Sequence, residues 1–146
     1  MLHLANAGTK MVIIPVSVAT NATATGNIDT LGYDYVKVLV LLDTAASTSN
    51  NPVVCKLSES DDTVVTNFAD VTGFVGDATD GFTIPNASAS VGQVVEMNID
   101  CRARKRYLKV SLTPGTAAQV MGAVAVMGRA ESSTEARALA AAVVTG

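Results

Sequence analysis

Apolar and polar residues alternate with a period of two along much of the chain, and clusters of Gly, Pro, Asn, Asp and Ser interrupt the alternation. This is the pattern of half-buried strands. Residues 33–43 place Val36, Val38, Val40 and Leu42 on one face, with Tyr33, Tyr35, Lys37, Leu39 and Leu41 on the other. Residues 53–59 put Val53, Cys55 and Leu57 inward and Val54, Lys56 and Ser58 outward. Residues 93–101 oppose Val95, Met97, Ile99 and Cys101 to Glu96, Asn98 and Asp100. Residues 106–112 oppose Arg106, Leu108, Val110 and Leu112 to Tyr107, Lys109 and Ser111. Residues 118–127 are apolar on both faces, which predicts a strand covered on both sides. Near the start, residues 12–19 read as a strand with Ile14, Val16 and Val18 in phase.

Between these runs, residues 20–30, 45–52 and 85–92 read as loops, Ser60-Asp-Asp62 as a turn, and Pro114-Gly115 as a strong turn. Thr63–Thr66 is expected to begin a short strand. Residues 68–84, punctuated by Gly73, Gly76 and Gly81, read as irregular loop with short edge strands. About seven or eight strands at short spacing, with no βαβ alternation, predict an all-β domain, a β-sandwich of jelly-roll type. At the C-terminus, Ser132-x-x-Glu135 has capping-box spacing before the Ala-rich residues 136–142, so a short helix or an extended tail is expected there. The chain then divides into residues 1–30 (extended N-terminal arm and first strand), 31–129 (sandwich body) and 130–146 (tail).

Size and composition narrow the function. A chain of 146 residues suits one core. A net charge of −3 disfavours a general nucleic-acid binder. His3 is the one histidine, so no site can use two imidazoles, and its place near the chain start suits a catalytic base poorly. No apolar run approaches the ~18–20 residues of a membrane span. The apolar stretch Met11–Ala19 behind Lys10 is not expected to act as a secretory leader, because the chain opens on its own Met1. A reducing compartment follows, with Cys55 and Cys101 as buried thiols, although a bridge stays sterically open if their strands are neighbours.

Motifs for chemistry are sparse. Asp61/Asp62 and Asp77/Asp80 fit turns, since Asx side chains bond nearby backbone amides, and Asp77–Gly81 lacks the acid spacing of a calcium loop. There is no G-x-G-x-x-G and no G-K-[ST]. No enzyme activity, cofactor, metal or small-molecule substrate is expected.

Two features stand apart. Arg102, Arg104, Lys105, Arg106 and Lys109 gather five of the ten basic residues into eight positions between two core strands. They suit docking on an acidic surface through Arg forks, or a solvated corner paired locally with Asp100 or Glu96. A nucleic-acid face would need more stacking aromatics than Tyr107. The second feature is surplus apolar surface: Tyr33, Tyr35, Leu39 and Leu41, and Val120, Val124 and Val126 opposite Met121, Ala123, Ala125 and Met127. A sheet in a two-layer sandwich has one core side, so these residues call for a cover from the chain's own arms or another subunit. The ends are accordingly expected to be held against neighbours.

Four segments in order, Tyr33-Asp-Tyr-Val-Lys-Val38, Leu57-Ser-Glu-Ser-Asp-Asp62, Ile99-Asp-Cys-Arg-Ala-Arg-Lys-Arg-Tyr-Leu-Lys-Val110 and Gly128-Arg-Ala-Glu131, resemble small structural proteins encoded among the head genes of tailed bacteriophages. The resemblance spans about residues 30–131. It implies a decoration or cement protein on the capsid exterior of a virion, made in the host cytoplasm. Its partners would be the major capsid protein and itself, as a homodimer or homotrimer, with no nucleic acid and no membrane. Candidate partner-binding residues are Arg102, Arg104, Lys105, Arg106, Tyr33 and Tyr35. The rival readings are another virion part (a head–tail connector or tail component) and a carbohydrate-binding module, for which the three Tyr and absent Trp are a thin supply.

Overall fold

A computed structural model describes residues 7–44, 51–86, 91–129 and 142–145. These residues form two antiparallel sheets facing each other as a β-sandwich. In chain order the strands are β1 (Ala7–Val18), β2 (Ala24–Asp29), β3 (Tyr35–Leu42), β4 (Val54–Ser60), β5 (Ala69–Val75), β6 (Gln93–Asp100), β7 (Tyr107–Thr113), β8 (Gln119–Gly128) and β9 (Ala142–Thr145). One sheet runs β1-β8-β3-β6-β9 and the other β2-β7-β4-β5. Strand pairing joins β1 with β8, β2 with β7, β3 with β6 and β4 with β5.

The alternation explains the core. Val36, Val38, Val40 and Leu42 of β3 are buried, as are Val95, Met97 and Ile99 of β6. They join Leu57 of β4, Leu108, Val110 and Leu112 of β7, and Ile28 of β2 in a single apolar cluster. Each such side chain contributes ~1.5–3 kcal/mol on leaving water. The two sheets also approach at one edge, where β1 meets β2. Gly26 makes this approach possible, since a Cβ there would collide with the Val12 carbonyl.

Several expectations change. Residues 7–29 are not an arm followed by one strand: they supply β1 and β2, an edge strand of each sheet, so the body reaches back to Ala7. The loop expected over residues 20–30 contains β2, whose Thr25 and Asn27 point to water while Ile28 enters the core. In β1 the buried residues are Ile13 and Val18, whereas Ile14 is 70% exposed and Val16 is 49% exposed. The phase is lost at register shifts between Met11 and Ile13 and between Ile13 and Val16. Pro15, which has no N–H to give a ladder, lies inside the second shift.

Residues 63–66 do not begin a strand. Val65–Asn67 is a single 3-10 turn, and Val64 and Val65 stay exposed because no neighbouring strand receives them. Val53 precedes β4 and is exposed, and Ser58, expected outward, is buried where its hydroxyl donates to Asp70 Oδ1 at 2.9 Å. The edge strand expected within residues 68–84 is β5. The helix expected over residues 132–142 lies outside the described residues except at Ala142, which opens β9 and is therefore extended. His3 and the extreme termini also lie outside them.

Candidate docking surfaces

The basic cluster sits where the chain crosses from one sheet to the other, on the link from β6 to β7. A 3-10 turn at Cys101–Ala103 begins this link, and the Asp100 carboxylate caps it by accepting from the Arg102 backbone N–H at 3.1 Å. The same carboxylate accepts from Arg102 Nε at 2.9 Å and Nη2 at 2.7 Å. Arg106 makes an equally two-pronged contact with Asp29 at the end of β2, at 2.9 and 2.8 Å, and stacks 4.9 Å from the Tyr107 ring centroid. Glu59 of β4 accepts from the Lys105 backbone N–H at 3.1 Å and pairs with Arg104 at 3.5 Å. Lys105 Nζ lies 3.1 Å from Asp61.

All four cations of the link therefore meet a carboxylate of the same chain. Asp29 and Glu59 lie on the two strands that flank β7, so the link is clamped from both sides. The Arg106 hydrogen bonds hold the Asp29 pKa down to about 2. Those of Arg102 lower Asp100 in the same way. Asp62 is lowered too, by hydrogen bonds from Asn67, Val64 and Ser60. The basic cluster of the sequence is thus a neutralised corner, nearer to local pairing than to a free cationic patch. Asp100 is one of the partners expected; the other, Glu96, pairs instead with Lys37 at 2.7 Å.

Tyr33 and Tyr35 are half-buried. Each ring is seated on a glycine: a Cβ at Gly8 would lie 2.6 Å from the Tyr33 hydroxyl, and one at Gly128 would lie 2.6 Å from that of Tyr35. Both are thereby drawn into the body. Asp77, at φ 57°, accepts from the Ile84 backbone N–H at 2.9 Å, seven residues on, so its carboxylate closes the whole Asp77–Ile84 loop and not a local Asx turn. Cys55 and Cys101 are free and buried, and burial pushes both thiols up to about 12.

The feature that sequence reasoning only half located is the outer face of the five-stranded sheet. Leu41 is 41% exposed and Val120 39% exposed, with Leu39, Val94, Val124 and Val126 half-buried on the neighbouring strands. Pro15 lies over Gly122 and, with Leu41 and Val120, lines a shallow depression. Ile14 and Val16 add exposed apolar surface from β1. Ile14 and Val16 do not share the burial of Val18, with which alternation puts them in phase, because register shifts interrupt β1 on both sides of Ile13. The chain matches no protein-family model and no curated protein.

Proposed function

We propose that this chain is a decoration protein of a tailed-phage capsid. It binds the outer surface of the shell and stabilises it by bridging neighbouring major capsid subunits. The observation that carries the reading is the apolar outer face formed by Pro15, Leu41 and Val120, with the exposed Ile14 beside it on β1. A monomer in water gains nothing from such a face, whereas a subunit of an assembly buries it against a neighbour. The face is held on paired strands, so little conformational entropy is lost on docking. Bridging by many copies tolerates a weak individual contact.

Two further points support the reading. The strand orders β1-β8-β3-β6 and β2-β7-β4-β5 fit a jelly roll, an architecture frequent in viral capsid proteins and lectins. The lectin branch calls for exposed aromatics, and Tyr33 and Tyr35 are half-buried on glycines instead. The described residues of the four segments that resemble phage head proteins fall on or beside β3, β4, the end of β6 with the clamped link and β7, and the end of β8.

Cryo-electron microscopy of particles from cells producing this chain, beside particles lacking its gene, tests the proposal. Density on the outer shell at many sites, and earlier genome release on heating when the gene is absent, are expected. A few copies at the neck or tail would reassign the chain to a connector or tail component. Particles without the chain would overturn the proposal.

A further inference from the structure

Strands β1 to β8 supply four strands to each sheet, and β9 is an addition to the edge of β6. Its register is Val94↔Thr145, Val95↔Val144, Glu96↔Val143 and Met97↔Ala142, and β6 is the one strand it pairs with among the described residues. Without β9, the N–H and C=O groups along this stretch of β6 would face solvent. An open strand edge of that kind is a template for any compatible strand.

The path to β9 is unusual. The chain leaves β8 at Gly128, opposite Tyr35, and β9 lies three strands away, beyond β3 and β6. Consecutive strands are more often neighbours. Three strand spacings amount to ~15 Å, whereas the thirteen residues 129–141 can span ~45 Å when extended. The tether therefore reaches the chain's own β6 and also the β6 of an adjacent molecule. The backbone hydrogen bonds are the same in the two cases, so exchange forfeits no pairing. The apolar face flanking this edge, with Val94, Leu39 and Leu41, favours the second arrangement, because a neighbouring copy drawn in by the strand covers surface that a lone copy leaves wet.

We propose that β9 is an exchange strand: in the assembled protein the Ala142–Thr145 segment of one copy completes the β6 edge of a second copy, and the second copy reciprocates. The inference concerns the purified protein and does not depend on a capsid role, so either can fail without the other.

The test uses two full-length, differently tagged variants, Val94→Cys and Thr145→Cys, produced in the same cells and oxidised after purification. Cys55 and Cys101 are buried and will not compete. A disulfide joining the two tags is expected, as is an intermolecular cross-link in the double variant Val94→Cys/Thr145→Cys. A double variant that closes only within single chains, with no bond between the tagged singles, would overturn the proposal. Deletion of residues 142–146 should convert the oligomer to monomer in light scattering while the circular dichroism of the body persists. An unchanged mass, or a full-length chain that is already monomeric, would count equally against exchange.

Discussion

The two sheets share one core and treat their outer faces in opposite ways. The β2-β7-β4-β5 sheet satisfies its outer surface internally: Asp70 accepts from Lys56 and Ser58 at 2.9 Å each, Lys109 lies 4.3 Å from the Phe68 ring centroid, and Asp29 holds Arg106. The β1-β8-β3-β6-β9 sheet has the Lys37–Glu96 pair, but Leu41, Val120 and the bulged β1 leave apolar groups in water. Charge that finds its partner within the chain has little left to offer another molecule. Apolar surface has no such internal remedy once the core side is filled. The difference is the reason the proposed docking is placed on the five-stranded sheet and not on the arginines.

The comparison presupposes that both sheets fold as one unit. Leu108 on β7 is fully buried and joins the cluster shared with β3 and β6. Leu108→Ala should cost ~2–5 kcal/mol and lower the unfolding of both sheets in one denaturant transition. Two separate transitions would mean that the faces belong to independently stable layers. A smaller but more direct test sets face against corner. Ile14→Asp with Leu41→Asp should reduce shell occupancy more than about tenfold, as loss of a buried apolar anchor does, with the melting temperature nearly unchanged. Arg104→Glu with Arg106→Glu should reduce occupancy far less. Equal losses would return the docking role to the corner.

Acid titration gives a third measure, confined to the paired surface. Asp29 has a folded pKa of about 2 against an ordinary 3.8. Asp100 is also lowered, chiefly by Arg102. Burial pushes Asp70 upward, but hydrogen bonds from Lys56 and Ser58 outweigh it and the net shift is downward. Carboxylates with depressed pKa values stabilise the fold above their unfolded pKa, and that contribution disappears as pH falls through the folded value. Stability should therefore hold at neutral pH and decline from about pH 4 toward 2. Asp29 is 42% exposed, so solvent screening limits its share to ~0.2–1 kcal/mol. Asp29→Asn should flatten this part of the denaturation profile. A slope as steep as that of the unaltered protein would show that the pair contributes nothing.

How much of this was readable in the chain depends on range. β3, β6 and β7 were legible because strict alternation and burial coincide, as at Val36, Val38 and Val40. β2 was not, since Ile28 is its one large apolar side chain and its order comes from pairing with β7, eighty residues away in sequence at Ile28↔Leu108. The phase of β1 depended on register shifts around Pro15, which a local pattern cannot register. The arginine cluster was visible as a cluster, but Asp29 and Glu59 lie 77 and 45 residues from the cations they neutralise. Only Asp100, two residues from Arg102, was within reach of local reasoning.

The smallest expected effect is the most specific to the contrast between faces. Leu41 lies on the outer side of β3, paired in register with Val94 and Gly122, and keeps 41% of its surface in water. In the dissociated monomer that face is open, so Leu41→Ser removes little buried area and creates no cavity. The change in stability should stay within about 0.5 kcal/mol, and the hydroxyl should improve solubility. On the opposite sheet an equally modest edit, Ser58→Ala, strips Asp70 of a hydrogen bond inside a buried position and should cost about 1 kcal/mol. Urea denaturation of the two variants side by side measures this difference at low concentration. If Leu41→Ser proves the more damaging of the two, the open face is already covered in the isolated protein. Concentration dependence of the Leu41→Ser midpoint would then identify a second copy as the cover.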